Sequence, residues 1–529
     1  MNLSPPPPAA QPFPVVRPLL GGGDAPHAGD VGASPPAQPL YVQLAARLTR
    51  LIRSGAFKAG QRLPSVRDTA RTEGVSVATV VQAYARLEEA GLAQARPKAG
   101  YFVLKVSSAR QATPALGQPR TTAPPARSFE LARSRSDAFA ALDQPGAVAS
   151  FGGYTPEGSE LFDEAALRVA LGRASRVHRH SLVAYNTADA GCLSLRQAVA
   201  QRALHLGCSL DAQRIVTTAS CIQAVSMCLR AVTQPGDVVA LESPTFFGYL
   251  DLLEAHGLRA LEIPTHPRTG LSLPALELAL DTQPVKAVLC TPTLSNPLGS
   301  VMPMAAKQRL VQLLAARGVP LIEDVVFNDL LAGDERRKAA KAFDTTGNVM
   351  VCGSFSKTLS PGIRLGWVEA GRWAESMVTH KRLHGAPNNV VLEEALADLL
   401  LQGHYEAQMR RLSGLLRQRL THARALIAQH FPTGTRVSQP PSGFSLWVEL
   451  SPELDSHVLF QRCEVRGVTF GPGGLFTATD RYRHCLRLSF SGPWTATEQQ
   501  ALAMVGQTAC AMRAELAGHA ELALQRLSA

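Results

Sequence analysis

The chain has no run of about 18 apolar residues, so no transmembrane helix and no membrane partner are expected. It has no C-x-x-C pair. Its nine cysteines are odd in number and scattered from Cys192 to Cys510. That spacing argues against a disulfide frame and against a zinc site. Reduced, mostly buried thiols, a cytoplasmic location and no bound metal are expected instead. The opening residues, Met1-Asn-Leu-Ser-Pro-Pro-Pro-Pro, lack a basic n-region and an apolar h-region, so they do not read as a signal peptide. Apolar residues make up 46% of the 529 and charged residues 18%, which excludes global disorder and allows a large core.

What is present is unevenly spread. The formal net charge is +11, and Leu40 to Lys105 alone holds 11 Lys/Arg against 4 Asp/Glu, a net +7. Nucleic acid is a candidate partner for that block, and a solvated basic face is the alternative. Residues 1–38, rich in Pro, Gly and Ala, read as a disordered tail. A periodic block covers 39–105. Residues 106–147 show little periodicity and read as a linker. From 148 to 529 apolar helical stretches alternate with short β-branched runs, the pattern of an α/β domain with a mostly parallel sheet under helices. A smaller subdomain is expected from about 400 onward.

In the basic block, Leu44, Leu48, Leu51 and Ile52 give a first helix closed by Ser54-Gly55. Ser65 can cap a second short helix through Ala70. Gly74-Val75-Ser76 makes a turn, and Ser76 caps a third helix with Val77, Val80, Val81, Tyr84 and Leu87 at apolar positions. Leu92 to Val103 reads as a β-hairpin with a basic, glycine-containing tip. This pattern fits a helix-turn-helix, with a small helical bundle as the alternative. The run Pro39-Leu40-Tyr41…Leu63-Pro64-Ser65-x-Arg67…Gly74-Val75-Ser76…Ala83-Tyr84…Gly91-Leu92…Arg96-Pro97-x-x-Gly100-Tyr101 resembles the winged helix-turn-helix of the GntR family of bacterial transcription regulators. The resemblance implies contacts to double-stranded operator DNA from Arg67, from Ser76, Val77 and Thr79, and from Lys98 and Gly100 in the wing. Many members of that family carry arginines where this chain has Val77 and Val81. Valines can touch thymine methyls but cannot bond guanine. Phosphate contacts from Arg62, Arg67, Arg71 and Lys98 are then expected to supply most affinity.

Four β runs in the large domain end in chemically distinctive residues. Val285–Cys290 leads to Thr291-Pro-Thr-Leu-Ser-Asn296-Pro-Leu-Gly299. Val319–Asp324 ends in two acids. Asn348–Cys352 leads to Gly353-Ser-Phe-Ser-Lys357, with Arg364 seven residues on. Val238–Leu241 leads to Glu242-Ser-Pro-Thr-Phe246. Ligands bind at the carboxyl ends of strands in such sheets. A lone lysine there is ordinarily a solvated surface residue. Set among serines and an arginine, Lys357 suits a Schiff base with an aldehyde cofactor whose phosphate the hydroxyls and guanidinium hold. Pyridoxal 5'-phosphate needs those parts and a carboxylate against its ring nitrogen, which Asp324 can supply. Asn296 can bond the ring hydroxyl.

The set Asn296-Pro297-x-Gly299, Asp324, Ser354-x-Ser356-Lys357, Arg364-x-Gly366 and Arg487 resembles a fold-type I aminotransferase across roughly residues 150–515. The resemblance makes Lys357 the internal aldimine lysine and pairs Asp324 with the pyridine nitrogen. Phe246, which could equally be a core phenylalanine, stacks on the ring. Arg364, Ser354 and Ser356 hold the phosphate, with backbone amides at Ser220, Cys221 and Ile222 where a helix opens. Arg487 grips a substrate carboxylate. Tyr185 reaches the phosphate of a partner subunit, so a homodimer is implied. Two positions depart from that pattern. Serine stands at 220 where glycine is usual in a turn close to the phosphate. Phe327 stands where a tyrosine donor is common, which shifts the tuning of the ring hydroxyl onto Asn296.

A GntR-type winged helix fused to such a domain resembles the MocR group of bacterial regulators. The resemblance implies a dimeric regulator that binds DNA and senses an amino acid or amine through an external aldimine. The alternative is an active aminotransferase carrying a DNA-binding appendage, with low turnover expected from Phe327 and Ser220. A regulator responding to pyridoxal phosphate itself is a third reading. The basic loop Ala332 to Ala342 has no role assigned by its sequence.

Overall fold

The computed structural model describes residues 39–53, 57–96, 100–104, 127–128, 142, 147–153, 156–185, 189–331, 333–385 and 387–528. The chain divides into two compact units, Met1–Arg110 and Gln111–Ala529. The tail expected at 1–38 and the wing residue Lys98 lie outside the described residues.

The first unit has three helices, α1 (Leu40–Arg53), α2 (Val66–Glu73) and α3 (Val77–Glu89), then a hairpin of β1 (Ala93–Arg96) and β2 (Gly100–Val103). Ser65 and Ser76 cap α2 and α3, accepting from Asp68 N and Thr79 N. Helix α2 runs one turn beyond Ala70 and stops at Gly74 in the left-handed conformation. Leu44, Leu48, Val80, Ala83 and Leu87 form the core around Tyr84. The Tyr84 hydroxyl donates to the Pro64 carbonyl at 2.8 Å and pairs with Thr69 Oγ1 at 2.8 Å, so a buried polar tip is satisfied. These are the helices and hairpin that the spacing predicted.

The second unit holds strands β3 (Arg127–Ser128), β4 (Ala149–Phe151), β5 (Ile215–Thr218), β6 (Val238–Ser243), β7 (Arg259–His266), β8 (Gly270–Leu271), β9 (Val285–Cys290), β10 (Leu321–Asp324), β11 (Val349–Ser354), β12 (Gly366–Glu369), β13 (Arg436–Val437), β14 (Ser445–Glu449), β15 (Val468–Pro472) and β16 (Cys485–Ser489). The large sheet runs β3-β7-β6-β9-β10-β11-β12-β5, with β8 paired to β7. The pairs from β7 through β11 are parallel, and β12 is antiparallel to both neighbours. Alternate residues feed two cores. Val239, Leu241, Leu289, Ile322, Met350 and Val368 pack on one face, and Val238, Ala240, Val288, Leu321, Val349 and Val351 on the other. A sheet buried on both faces explains why its strands read as continuous apolar runs.

Two boundaries differ from the expected ones. The segment 106–147 is not wholly a linker. Arg127–Ser128 pairs with Arg259–Ala260 at the sheet edge, and Leu142, 2% exposed, packs with Phe151 and Phe470. The smaller subdomain also does not start at 400. Its sheet, β13-β14-β16-β15-β4, takes a strand from residues 149–151. Helix His404–His430 gives Tyr405, Met409, Leu412 and Leu416 to the large core, and Leu420, Ala423 and Ile427 to the small one. One continuous amphipathic helix serves both cores, so its sequence carries no break where the cores change.

The basic loop before residue 342 has a structural tie. Lys307, fully buried, donates to Thr293 Oγ1 (2.6 Å) and to the carbonyls of Arg336 (2.8 Å) and Lys338 (2.6 Å). Glu323 accepts from the backbone of Ala340 and Lys341 on its other side. Among the described residues no helix is long and apolar enough to cross a membrane, and no group of His, Cys, Asp or Glu could hold a metal. All nine cysteines are free thiols, and Cys510 is exposed.

Candidate functional site

The carboxyl ends of β9, β10 and β11 open on a cavity of about 360 Å³. Its wall includes Asn296, Asp324, Ser354, Ser356, Lys357, Arg364, Phe246, Phe327 and the turn Ser220-Cys221-Ile222. The side chains expected from 220 to 364 therefore converge on one space, although they lie far apart along the chain. Tyr185 and Arg487 do not line it.

Asp324 ends β10 and is 6% exposed. Its Oδ1 accepts from Val326 N at 2.8 Å, and its Oδ2 accepts from the Tyr249 hydroxyl at 2.5 Å. Burial pushes its carboxyl above the ordinary range. The Tyr249 hydroxyl, the Val326 N–H, the Cys221 thiol and the Lys357 charge act against that rise. A buried acid so disposed favours a cationic partner in the cavity. Lys357 follows the end of β11 and is half-buried.

One side of the cavity is built from β11 and from helix Cys221–Val232, and the N-terminus of a helix is a favourable place for an anion. Ser356 N donates to Ser354 Oγ at 3.1 Å. Ser356 Oγ is buried and has no hydrogen-bond partner. A buried hydroxyl left in that state suits an acceptor not supplied by the protein. Arg364 is exposed at the cavity rim, with φ 54°. These features fit pyridoxal phosphate. Ser220 itself has an extended backbone (φ −172°, ψ 165°), which any residue adopts. The tight place is Gly366, where a Cβ would lie 2.7 Å from the Ser220 carbonyl carbon and 2.8 Å from the Gly353 oxygen.

Phe246 lines the cavity, is half-buried, and packs edge-on against Tyr249, with ring centroids 5.3 Å apart. Arg487 lies one layer behind the wall, fully buried. It donates from Nη1 to Asn296 Oδ1 at 3.4 Å and from Nη2 to the Gly152 carbonyl. The guanidinium also faces the rings of Phe476 and Phe247, 5.0 and 5.7 Å away. A ligand carboxylate would reach it by replacing the Gly152 carbonyl, not by meeting an open fork. Tyr185 is 92% exposed, with Val183 (88%) and Leu182 (59%) beside it.

Sequence reasoning missed Tyr249, Thr291 and Glu242. The Tyr249 hydroxyl also lies 3.1 Å from Thr291 Oγ1, and Thr291 N donates to Glu242 Oε2 at 2.9 Å. Burial pushes Glu242 up to about 8. The only signal was position: each stands within three residues of a motif residue or of a strand end.

In the first unit, Arg62, Arg67, Arg71, Ser76 and Val77 are exposed, and Thr79 and Gly100 are partly exposed. The Arg62 guanidinium lies against Gly100, where an added Cβ would sit 3.0 Å from its Nε. Arg71 is paired with Asp68. Ser76 and Thr79 join their hydroxyls at 2.8 Å, so Ser76 serves first as a cap.

Residues 164–504 match the family model described as aminotransferase class I and II, and residues 40–103 match bacterial regulatory proteins, gntR family. The chain is 34% identical over 471 residues to the uncharacterized HTH-type transcriptional regulator YjiR of Escherichia coli, covering 88% of this chain and 98% of that protein. It is 26% identical over 442 residues to the probable rhizopine catabolism regulatory protein MocR of Rhizobium meliloti, covering 82% and 86%. Among solved structures, LysN, the alpha-aminoadipate aminotransferase of Thermus thermophilus complexed with N-(5'-phosphopyridoxyl)-L-leucine, aligns with a TM-score of 0.65 and 24% identity. That alignment covers 73% of this chain and all of that one. This last likeness shows the fold.

Proposed function

Since the chain belongs to the MocR-type regulators, which join a gntR-family DNA-binding module to a domain of the aminotransferase class I and II family, we propose that the large unit binds pyridoxal phosphate and uses it to sense an amino acid or amine. The observation that carries this reading is Lys357 and Asp324 in one cavity with the buried, partnerless Ser356 hydroxyl. The cofactor supplies an aldehyde that captures primary amines reversibly and a ring that withdraws electrons.

The protein's own groups have separable tasks. Lys357 Nζ supplies the resident amine and can carry a proton beside a bound ligand. Asp324, held by Tyr249 and Val326, keeps a ring nitrogen protonated. Ser354, Ser356, Arg364 and the amides of 220–222 hold the phosphate. Asn296 bonds the ring hydroxyl, and Phe246 covers the ring face. Arg487 receives a ligand carboxylate once the Gly152 carbonyl moves aside, which couples ligand entry to a backbone shift. A regulator needs such a differential contact between states.

The second unit acts as a homodimer in this reading. Val169, Val177, Leu182, Val183 and Tyr185 are exposed apolar side chains between residues 169 and 185, a surface that a second copy would cover. Tyr185 then reaches the partner's cavity. DNA contact falls to Arg62, Arg67, Arg71, Ser76, Val77, Thr79, Lys98 and Gly100, and the protein works in the cytoplasm.

The test is an absorbance titration of full-length protein with pyridoxal phosphate, then with amino acids, followed by DNA-binding measurements on those that shift the spectrum. Lys357→Ala is expected to abolish the near-visible band and the effector response. A response retained by that variant overturns the sensor reading. Steady product release with 2-oxoglutarate at about 1 per second or more favours an active aminotransferase instead.

A further inference from the structure

Helix α3 divides sharply by exposure. Val80, Ala83, Tyr84 and Leu87 are buried at 0–1%. On the opposite side of its first two turns stand Val77 (51% exposed), Ala78, Val81 (44% exposed) and Gln82. No charged side chain occurs from Val77 to Ala85. Arg86, the first, places its guanidinium 5.8 Å from the centre of the Tyr41 ring. The core is complete without Val77 and Val81, so their exposure does nothing for folding. In a helix-turn-helix the start of this helix is the part that enters the major groove. Basic groups lie around it rather than on it: Arg67 and Arg71 on α2, and Arg62 beside the hairpin. The phosphate-neutralising charge and the base-facing surface are therefore separate in this unit.

The apolar feature of the major groove is the thymine 5-methyl group. Guanine O6 and N7 and cytosine N4 are polar, and a valine packed over them removes water without replacing its hydrogen bonds. A glutamine matches adenine, donating to N7 and accepting from N6. Val77 and Val81 are about 6 Å apart along the helix axis, close to two base-pair steps.

We propose that the exposed face of α3 reads thymine–adenine pairs, Val77 and Val81 by packing on thymine methyl groups and Gln82 by bonding an adjacent adenine. This rests on the DNA-binding reading of the first unit. It assigns to that unit an operator core of A·T pairs, with arginine contacts confined to phosphates.

Full-length protein is used to select duplexes from a randomised pool, and the selected core is then remade with deoxyuridine in place of each thymine. Uracil pairs as thymine does and lacks only the methyl. At one or two positions this change is expected to weaken binding about four-fold each, the worth of one buried methyl. Val81→Ala is expected to bind the thymine duplex about four-fold more weakly and to lose one of the uracil effects. Because Val81 is exposed, its thermal midpoint should match the parent's. Gln82→Ala is expected to become insensitive to 7-deazaadenine at one position. A selected core of G·C pairs, or equal binding of uracil and thymine at every position, overturns the proposal and leaves DNA binding intact. Failure to retain any duplex overturns both.

Discussion

The Tyr249 hydroxyl donates to Asp324 Oδ2 at 2.5 Å, from a helix that follows β6 to the end of β10. It also lies 3.1 Å from Thr291 Oγ1 at the end of β9. Burial, and next the Asp324 charge, hold this phenol well above its ordinary range, so it stays a donor at neutral pH. It thus fixes one oxygen of the acid while Val326 N–H fixes the other. A phenol remote in the chain therefore supports the acid at the end of β10.

Tyr249→Phe should therefore act on Asp324 while keeping the ring contact with Phe246. We expect a loss of about 1–3 kcal/mol of stability, the usual range for a buried hydrogen bond to a charged group. Weaker pyridoxal phosphate binding is expected as well. Urea unfolding and an absorbance titration of the full chain check the two effects. A variant equal to the parent in both would show that the bond has no influence.

Glu242 provides a pH test. Its carboxyl is raised from 4.5 to about 8, with burial the largest cause and the Thr291 N–H working against it. A raised acid binds its proton in the folded state and releases it when unfolded. Its contribution is complete below about pH 4.5 and is lost as pH climbs toward 8. The melting midpoint of the large unit should fall by about 2–4 °C between pH 6 and pH 8. Glu242→Gln, which stays neutral throughout, should flatten that dependence. Parallel slopes for parent and variant in a melting series would exclude Glu242 as its source.

Gly366 offers a steric test with an internal control. Gly366→Ala puts a Cβ 2.7 Å from the Ser220 carbonyl carbon and 2.8 Å from the Gly353 oxygen, both backbone atoms with little freedom to move. A cost of about 1–3 kcal/mol is expected, with weakened cofactor binding because the Ser220 turn must shift. At Gly362 the nearest atom to an added Cβ is Ser360 Oγ at 3.9 Å. Gly362→Ala should be close to neutral in the same melts.

Local residue order was enough to place α1, α2, α3 and the hairpin, because caps, glycine turns and helical spacing are short-range signals. It was also enough to single out Asp324 at the end of a β-branched run and Lys357 and Asn296 in the polar segments that follow two others, whereas Phe246 was reached only through the family resemblance. Other features depend on contacts between distant segments. Tyr249 reads as a core aromatic until its hydroxyl is seen on Asp324, and Arg487 reads as an open carboxylate clamp until Gly152 and Asn296 are seen to occupy it. The docked strand Arg127–Ser128 and the helix shared by two cores are likewise invisible to composition. Burial, partner choice and free space belong to pairs of residues remote in the chain, and only the folded arrangement brings those pairs together.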